Sequence, residues 1–173
     1  MKESTKPVRS LPRRNWWSVL AAFLILVAMG YFLRNHFRAA NEWEEITTVN
    51  EMKEALTLSD GTKVWLGDNS TFSRPDNFPV KEKRIRLQGK AYFEVANEPN
   101  RPFIVQTEKG EVKVLGVTSF NVRDFSSDEE MKVEVLTGRV QLETRDESQK
   151  IYIETDEKGI LNKKNKTLIK QKN

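Results

Sequence analysis

The chain contains one histidine, His36, and no cysteine. A serine or cysteine nucleophile needs a base within hydrogen-bond reach, most often an imidazole. His36 sits at the edge of a long apolar run, so no His-based triad can form in the rest of the sequence. Carboxylates remain for acid–base work: Asp60, Asp68, Asp76, Glu94, Asp124, Asp128, Glu129 and Glu130. Nearly all fall in turn-like stretches, where acids are solvated or bonded to backbone. No pair among them stands out as a set of catalytic acids. "SSDEE", Ser126 to Glu130, lacks the spaced oxygen ligands and the glycine of a calcium loop. Without cysteine there is neither a thiolate zinc site nor a disulfide framework. "GTKVWLG" has no phosphate-loop arrangement. The expectation is a protein that is not an enzyme, with no catalytic, metal-binding or cofactor-binding residues and no cofactor. Asn69-Ser70-Thr71 and Asn165-Lys166-Thr167 match the glycosylation triplet, which is common by chance. Trp65 and Tyr92 read equally as ordinary strand aromatics or as an anchor for a partner.

The net charge of +4 is unevenly spread. Residues 1–38 hold seven Lys and Arg against Glu3 alone, which leaves twenty-two basic against twenty-four acidic residues in 39–173. A nucleic-acid-binding domain concentrates its cations on the folded part, so no nucleic acid partner is expected. "WWSVLAAFLILVAMGYFL", Trp16 to Leu33, is 18 residues without a charge. As a helix it would be about 27 Å long, close to the hydrocarbon thickness of a bilayer. Arg13 and Arg14 flank one end and Arg34 and Arg38 the other, with Trp16, Trp17, Tyr31 and Phe32 at interfacial positions. The run exceeds the apolar core of a signal peptide, and its only small-residue cleavage pattern, Ala28-Met29-Gly30, lies inside it. The heavier positive charge on the leading side places the N-terminus in the cytoplasm and residues 39–173 outside.

These segments divide the chain into a basic tail (1–15), a transmembrane helix (16–33), a juxtamembrane stretch (34–55) that is either a helix extension or a linker, and a β domain (56–173). In the last, apolar and polar residues alternate. "ALTLSDGTKVWLGDNS" reads as strand, Asp60-Gly61 turn, strand, with a type I′ turn that needs positive φ at both central positions. Further strands are expected at Arg84–Leu87, Ala91–Val95, Phe103–Thr107, Glu111–Leu115, Phe120–Arg123, Met131–Leu136, Val140–Thr144 and Ile151–Glu154. Many short strands at this spacing predict an all-β fold, a sandwich or a β-roll or short solenoid. The expected core is Leu58, Val64, Leu66, Ile85, Leu87, Phe93, Val95, Phe103, Val105, Val112, Val114, Phe120, Val122, Val133, Val135, Val140, Leu142, Ile151 and Ile153. "RIRLQGKAYFEV" and "KVEVLTGRVQLE" echo one another around Gly89 and Gly138, as two similar corners of a rolled sheet would, or simply as two strands bent at glycine.

"LSDGTKVWLGDNSTFSRPDNF", "RIRLQGKAYFEVANEPNRPFIVQT", "VKVLGVTSFNV" and "VEVLTGRVQL", in that order, resemble the FecR-type domain. The matching positions are Leu58, Asp60, Gly61, Val64, Leu66, Ser70 and Phe78; Arg84, Leu87, Gly89, Ala91, Phe93 and Val95; Pro102, Phe103 and Val105; Val114, Leu115, Gly116, Phe120, Asn121 and Val122; Gly138 and Val140. The resemblance implies that these define the fold, as apolar strand residues and turn glycines. Gly67, Lys90 and Val117 depart from the Asn, Glu and Thr usual in the family. The family comprises single-pass inner-membrane regulators with a periplasmic β domain. The resemblance therefore implies signalling with an outer-membrane TonB-dependent transporter and control of an extracytoplasmic-function sigma factor. Family members usually carry a helical sigma-binding domain ahead of the membrane, and many continue into a small α/β module. Only 15 residues precede the apolar run here, so the expectation is a short form or one that depends on a partner chain. The alternative is an anchored periplasmic module that binds protein or glycan and has no transcriptional role.

Overall fold

A computed structural model describes residues 20, 22–31, 43–50, 55–75, 83–96, 98 and 100–172. The tail 1–15, the linker residues 34–42, His36, Asp76 and Phe78 lie outside the described residues, as do 16–19, 21, 32 and 33 of the expected span. Leu20 and residues 22–31 are helical. Among the described residues no helix is long and apolar enough to cross a membrane.

The β domain is built from thirteen strands: β1 (Trp43–Thr48), β2 (Leu56–Thr57), β3 (Lys63–Leu66), β4 (Ser70–Pro75), β5 (Lys83–Val95), β6 (Phe103–Gln106), β7 (Gly110–Val114), β8 (Thr118–Asp124), β9 (Glu130–Thr137), β10 (Arg139–Thr144), β11 (Lys150–Glu154), β12 (Glu157–Asn162) and β13 (Leu168–Lys172). Strands and turns account for the whole described part of the domain, as the alternation predicts. The two segments expected on either side of Gly89 are one continuous strand. Its first half, 83–88, pairs with β4 and β6, and its second half, 89–95, pairs with β3 and β8. β5 thus belongs to two sheets at once, one holding β1, β4, β6, β7, β10 and β11 and the other holding β2, β3, β8, β9, β12 and β13.

The strand folds back on itself at Gly89. Phe93 of the second half lies 6.0 Å, ring to ring, from Phe103, which is in register with Lys83 at the start of the first half. That folding explains an unusual connection. β5 and β6 are parallel yet joined by only residues 96–102, whereas a parallel pair ordinarily needs a crossover of a dozen or more residues. The bend itself returns the chain to its starting edge. Gly138 marks another crossing, where the chain leaves β9 in one sheet and enters β10 in the other. Both glycines of the sequence echo are therefore corners of a rolled sheet.

Between the sheets lies one core, and every expected member is buried except Ile151, which packs against it half-buried. Phe72, Ala91, Met131 and Leu161 complete it. Two expectations are corrected. Residues 43–48, assigned to the juxtamembrane stretch, form β1 and pair with β4, Ile46 packing on the core and Thr48 donating to the Gly67 carbonyl at 2.7 Å. The Asp60-Gly61 hairpin is not type I′. The Gly61 amide donates to the Leu58 carbonyl at 3.0 Å and the Leu58 amide to the Thr62 carbonyl at 2.8 Å, and only Gly61 has positive φ. This is a three-residue loop in which Ser59 and Asp60 make an ordinary turn and the glycine a bulge.

Candidate functional site

The carboxylates singled out in the sequence are scattered, and most are paired locally. Asp128 pairs with Arg123 at 3.0 Å and Glu130 with Lys132 at 3.2 Å. Glu94 accepts a hydrogen bond from the Tyr92 hydroxyl at 3.2 Å. Asp68 is exposed in the turn before β4, where its main-chain carbonyl accepts from the Ser70 hydroxyl. Among the described residues no cluster of three or more acidic or histidine side chains is placed to hold a metal. Trp65 and Tyr92 are cross-strand neighbours with ring centroids 5.3 Å apart, both half-buried on the outer face of their sheet. Asn165 is exposed in the β12–β13 turn, and Asn69 holds positive φ before β4.

Two buried lysine–carboxylate pairs were not legible as sites. At the open end of the folded β5, the Lys83 ammonium lies 2.8 Å from Asp60 and 2.5 Å from Glu98, and both Lys83 and Asp60 side chains are 1% exposed. Asp60 also accepts from the Thr62 amide at 3.0 Å and its hydroxyl at 2.9 Å. Arg101 holds Glu98 from the other side. One ammonium thus ties the start of β5, the β2–β3 loop and the 96–102 return loop together. Burial works against the Lys83 charge, but hydrogen bonds to Asp60 and Glu98 and their charges outweigh it, so its pKa stands above the usual lysine value. Bonding to Lys83 holds Glu98 below the usual carboxylate value, with Arg101 adding to the shift. Sequence alone places Lys83 in a polar "KEKR" run, and only the fold-back buries it.

At the Gly89 end, Asp124 is 2% exposed. The Lys163 ammonium lies 2.5 Å from its Oδ1 and donates to the Phe125 carbonyl. Beyond that ion pair, neither carboxylate oxygen has a hydrogen-bond partner among the described residues. Asp124 underlies a polar groove of about 330 Å³ on the outer face of the first sheet. There Glu45, Ser73, Arg86 and Gln106 form one cross-strand row. Arg86 sits 3.9 Å over the Trp43 ring, Gln88 donates to the Ser126 hydroxyl at 2.9 Å, and Arg145 donates to the Thr107 carbonyl at 3.0 Å. A second cleft, about 360 Å³, opens beside the Lys83 cluster between the return loop and the β7–β8 turn.

The positions of the four-block pattern divide cleanly. Leu58, Val64, Leu66, Leu87, Phe93, Phe103, Phe120 and Val140 are core, and Gly89 is the bend. Leu115 is an exception to the expected framework role: it is exposed, with Gly116 and Val117, at the tip of the β7–β8 turn.

Comparison with known proteins gives the same outline. The family model described as FecR protein matches residues 44–141, from β1 into β10. Two crystal structures of a protein from Parabacteroides distasonis, provisionally described as an anti-sigma factor, share 32% identity with the chain. They superpose with TM-scores of 0.69 and 0.68 over 76% and 75% of this chain. The chain spans about three fifths of the length of those structures, 60% and 59%. No curated protein matches it.

Proposed function

This chain belongs to the FecR protein family, and from that membership we propose that it is a single-pass regulator of the bacterial inner membrane. Its β domain would face the periplasm and control a sigma factor by contact rather than by catalysis. The observation that carries the reading is the overlap of the family match with β1–β10. The matched residues build a rolled sheet. The similar structures, provisionally described as an anti-sigma factor, point to the same class of partner. The signal source is a TonB-dependent outer-membrane transporter.

The apolar helix supports the anchor. Phe23, Leu24, Ile25, Leu26 and Val27 are all exposed. Five consecutive residues at about 100° each go fully round a helix, and a helix apolar on every face suits lipid better than water.

Two experiments test the reading. Deleting the gene should change transcription from promoters of one sigma factor, and restoring the full chain should reverse the change; an unaltered transcriptome sinks the regulatory role. Because the chain has no cysteine, a single cysteine can be introduced at Ser4 or at Lys132. A membrane-impermeant maleimide should label Lys132→Cys in intact spheroplasts and Ser4→Cys only after lysis. The reverse pattern would contradict the topology.

A further inference from the structure

The Lys83 end of the domain carries a surface that the framework does not use. Leu115 and Val117 are 37% and 68% exposed on either side of Gly116. A side chain added at Gly116 would meet nothing within 4 Å, so the tip stands clear of the rest of the domain. Val117, two thirds in water, gains little for the fold, since burial is what makes such residues stabilising, while Leu115 is partly covered as a wall of the neighbouring cleft.

Beside the tip lies the 360 Å³ cleft, floored by Val95, Pro102, Phe103 and Val114 and rimmed by Glu98, Arg101 and Lys113. The rim is cationic in effect. Asp60 and Glu98 balance Lys83 and Arg101, so the positive charge of the rim is that of Lys113. Among the described residues no carboxylate forms an ion pair with Lys113, which is half-buried at the edge of the cleft. Apolar walls take an apolar side chain, and an ammonium with no carboxylate of its own takes one from a partner. The volume is at the lower end of ligand-binding cavities, suited to one large side chain and the backbone beside it.

We propose that this cleft, with Leu115 and Val117 as its lip, docks an extended segment of a partner protein that carries an apolar anchor next to an aspartate or glutamate. The anchor packs on Pro102 and Leu115, while the acid makes charge-assisted bonds to Lys113 and Arg101. Lys83 and Glu98 position Arg101 and the return loop rather than touch the partner. The proposal deepens the reading of the domain as a regulator that works by contact.

The test places the photoreactive residue p-benzoylphenylalanine at Val117 of the full chain in its own membrane, with Lys132 on the outer face of β9 as the control position. Irradiation from Val117 should crosslink a protein segment whose sequence at the link contains an apolar residue adjacent to an acid. Leu115→Asp should lower the yield about tenfold, the effect of about 1.4 kcal/mol at a contact centre. Lys113→Glu should lower it about fivefold, and replacing the partner's acid by lysine should restore it. Crosslinks confined to lipid or to a second copy of this chain overturn the proposal. So does a segment without an acid, or an equal yield of the same segment from Lys132. If deletion of the gene changes sigma-dependent transcription but Val117 gives no crosslink, the docking site is wrong and the regulatory reading stands. If the crosslink forms but transcription does not respond, the reverse holds.

Discussion

Gly89 and Gly116 both belong to the family pattern and both have positive φ, +112° and +101°. Their surroundings are opposite. A Cβ at Gly89 would lie 2.4 Å from the Ser70 hydroxyl oxygen and 2.8 Å from the Ser70 Cα. That hydroxyl is already committed, accepting from the Lys90 amide at 2.8 Å and donating to the Asp68 carbonyl at 3.1 Å. Gly116 has only open space around it. One glycine is required twice, by backbone conformation and by the close approach of β4. The other is required only by its conformation. The first corner belongs to the framework, and the second presents side chains outward. A pattern of matching residues therefore does not mean one role, and the environment of each position separates them.

The largest effect should come at the framework corner. Gly89→Val combines an unfavourable φ, about 1–2 kcal/mol, with overpacking against main chain, about 1–3 kcal/mol more. Urea unfolding of the full chain in detergent should show a loss of about 2–5 kcal/mol; a loss below about 0.5 kcal/mol, ordinary for an inert surface change, would refute the placement of the bend.

Next comes the buried pin behind the docking cleft. Lys83→Met leaves the buried Asp60 carboxylate without its cation, while Glu98 keeps Arg101 and some solvent. The expected loss is about 3 kcal/mol, the lower end for breaking a buried pair. The same cluster sets part of the pH response. Glu98, Asp146 and Glu157 all lie below the usual carboxylate range, held first by Lys83, by Lys166 and by the Glu154 amide respectively. A depressed carboxylate stabilises the fold above its unfolded pKa, near 4, and that stability is lost as pH falls through the folded value. The urea midpoint should therefore drop as the medium is acidified below about pH 4, and Lys83→Met should shallow the slope by removing the Glu98 share. Lys83, with its pKa raised, contributes at neutral pH and loses its contribution only as alkaline pH passes the folded value.

Smaller still is Gly116→Ala. With no neighbour to strike, it should cost only the backbone penalty, about 1 kcal/mol. A loss as large as that of Gly89→Val would erase the distinction between the two corners.

Much of this was legible in the sequence because alternation is a strong signal where both sheet faces contribute apolar residues. β3 and β5–β10 each carry two or more buried side chains in alternation, and β11 alternates Ile151 with Ile153, so all are legible. β4 was missed because Phe72 is its only large apolar residue, set among serines, an arginine and a proline. β1 offers only Trp43 and Ile46 among acids and threonines, and β12 and β13 are short and largely polar. The continuity of β5 was hidden by a glycine that bends a strand and looks, in sequence, like one that ends it. The Lys83 cluster left no local trace, since Asp60, Lys83 and Glu98 come together only through the fold-back. The framework role of Leu115 rests on the resemblance alone; it follows Val114 directly, so alternation with Val112 and Val114 sets it on the opposite face.

The most direct measurement is to make Val117→Asp in the full chain and record two readouts side by side, thermal unfolding in detergent and sigma-dependent transcription in the cell. The account predicts a stability change within about 0.5 kcal/mol together with loss of the transcriptional response. An unchanged response, or a loss of stability comparable to that of Gly89→Val, would contradict it.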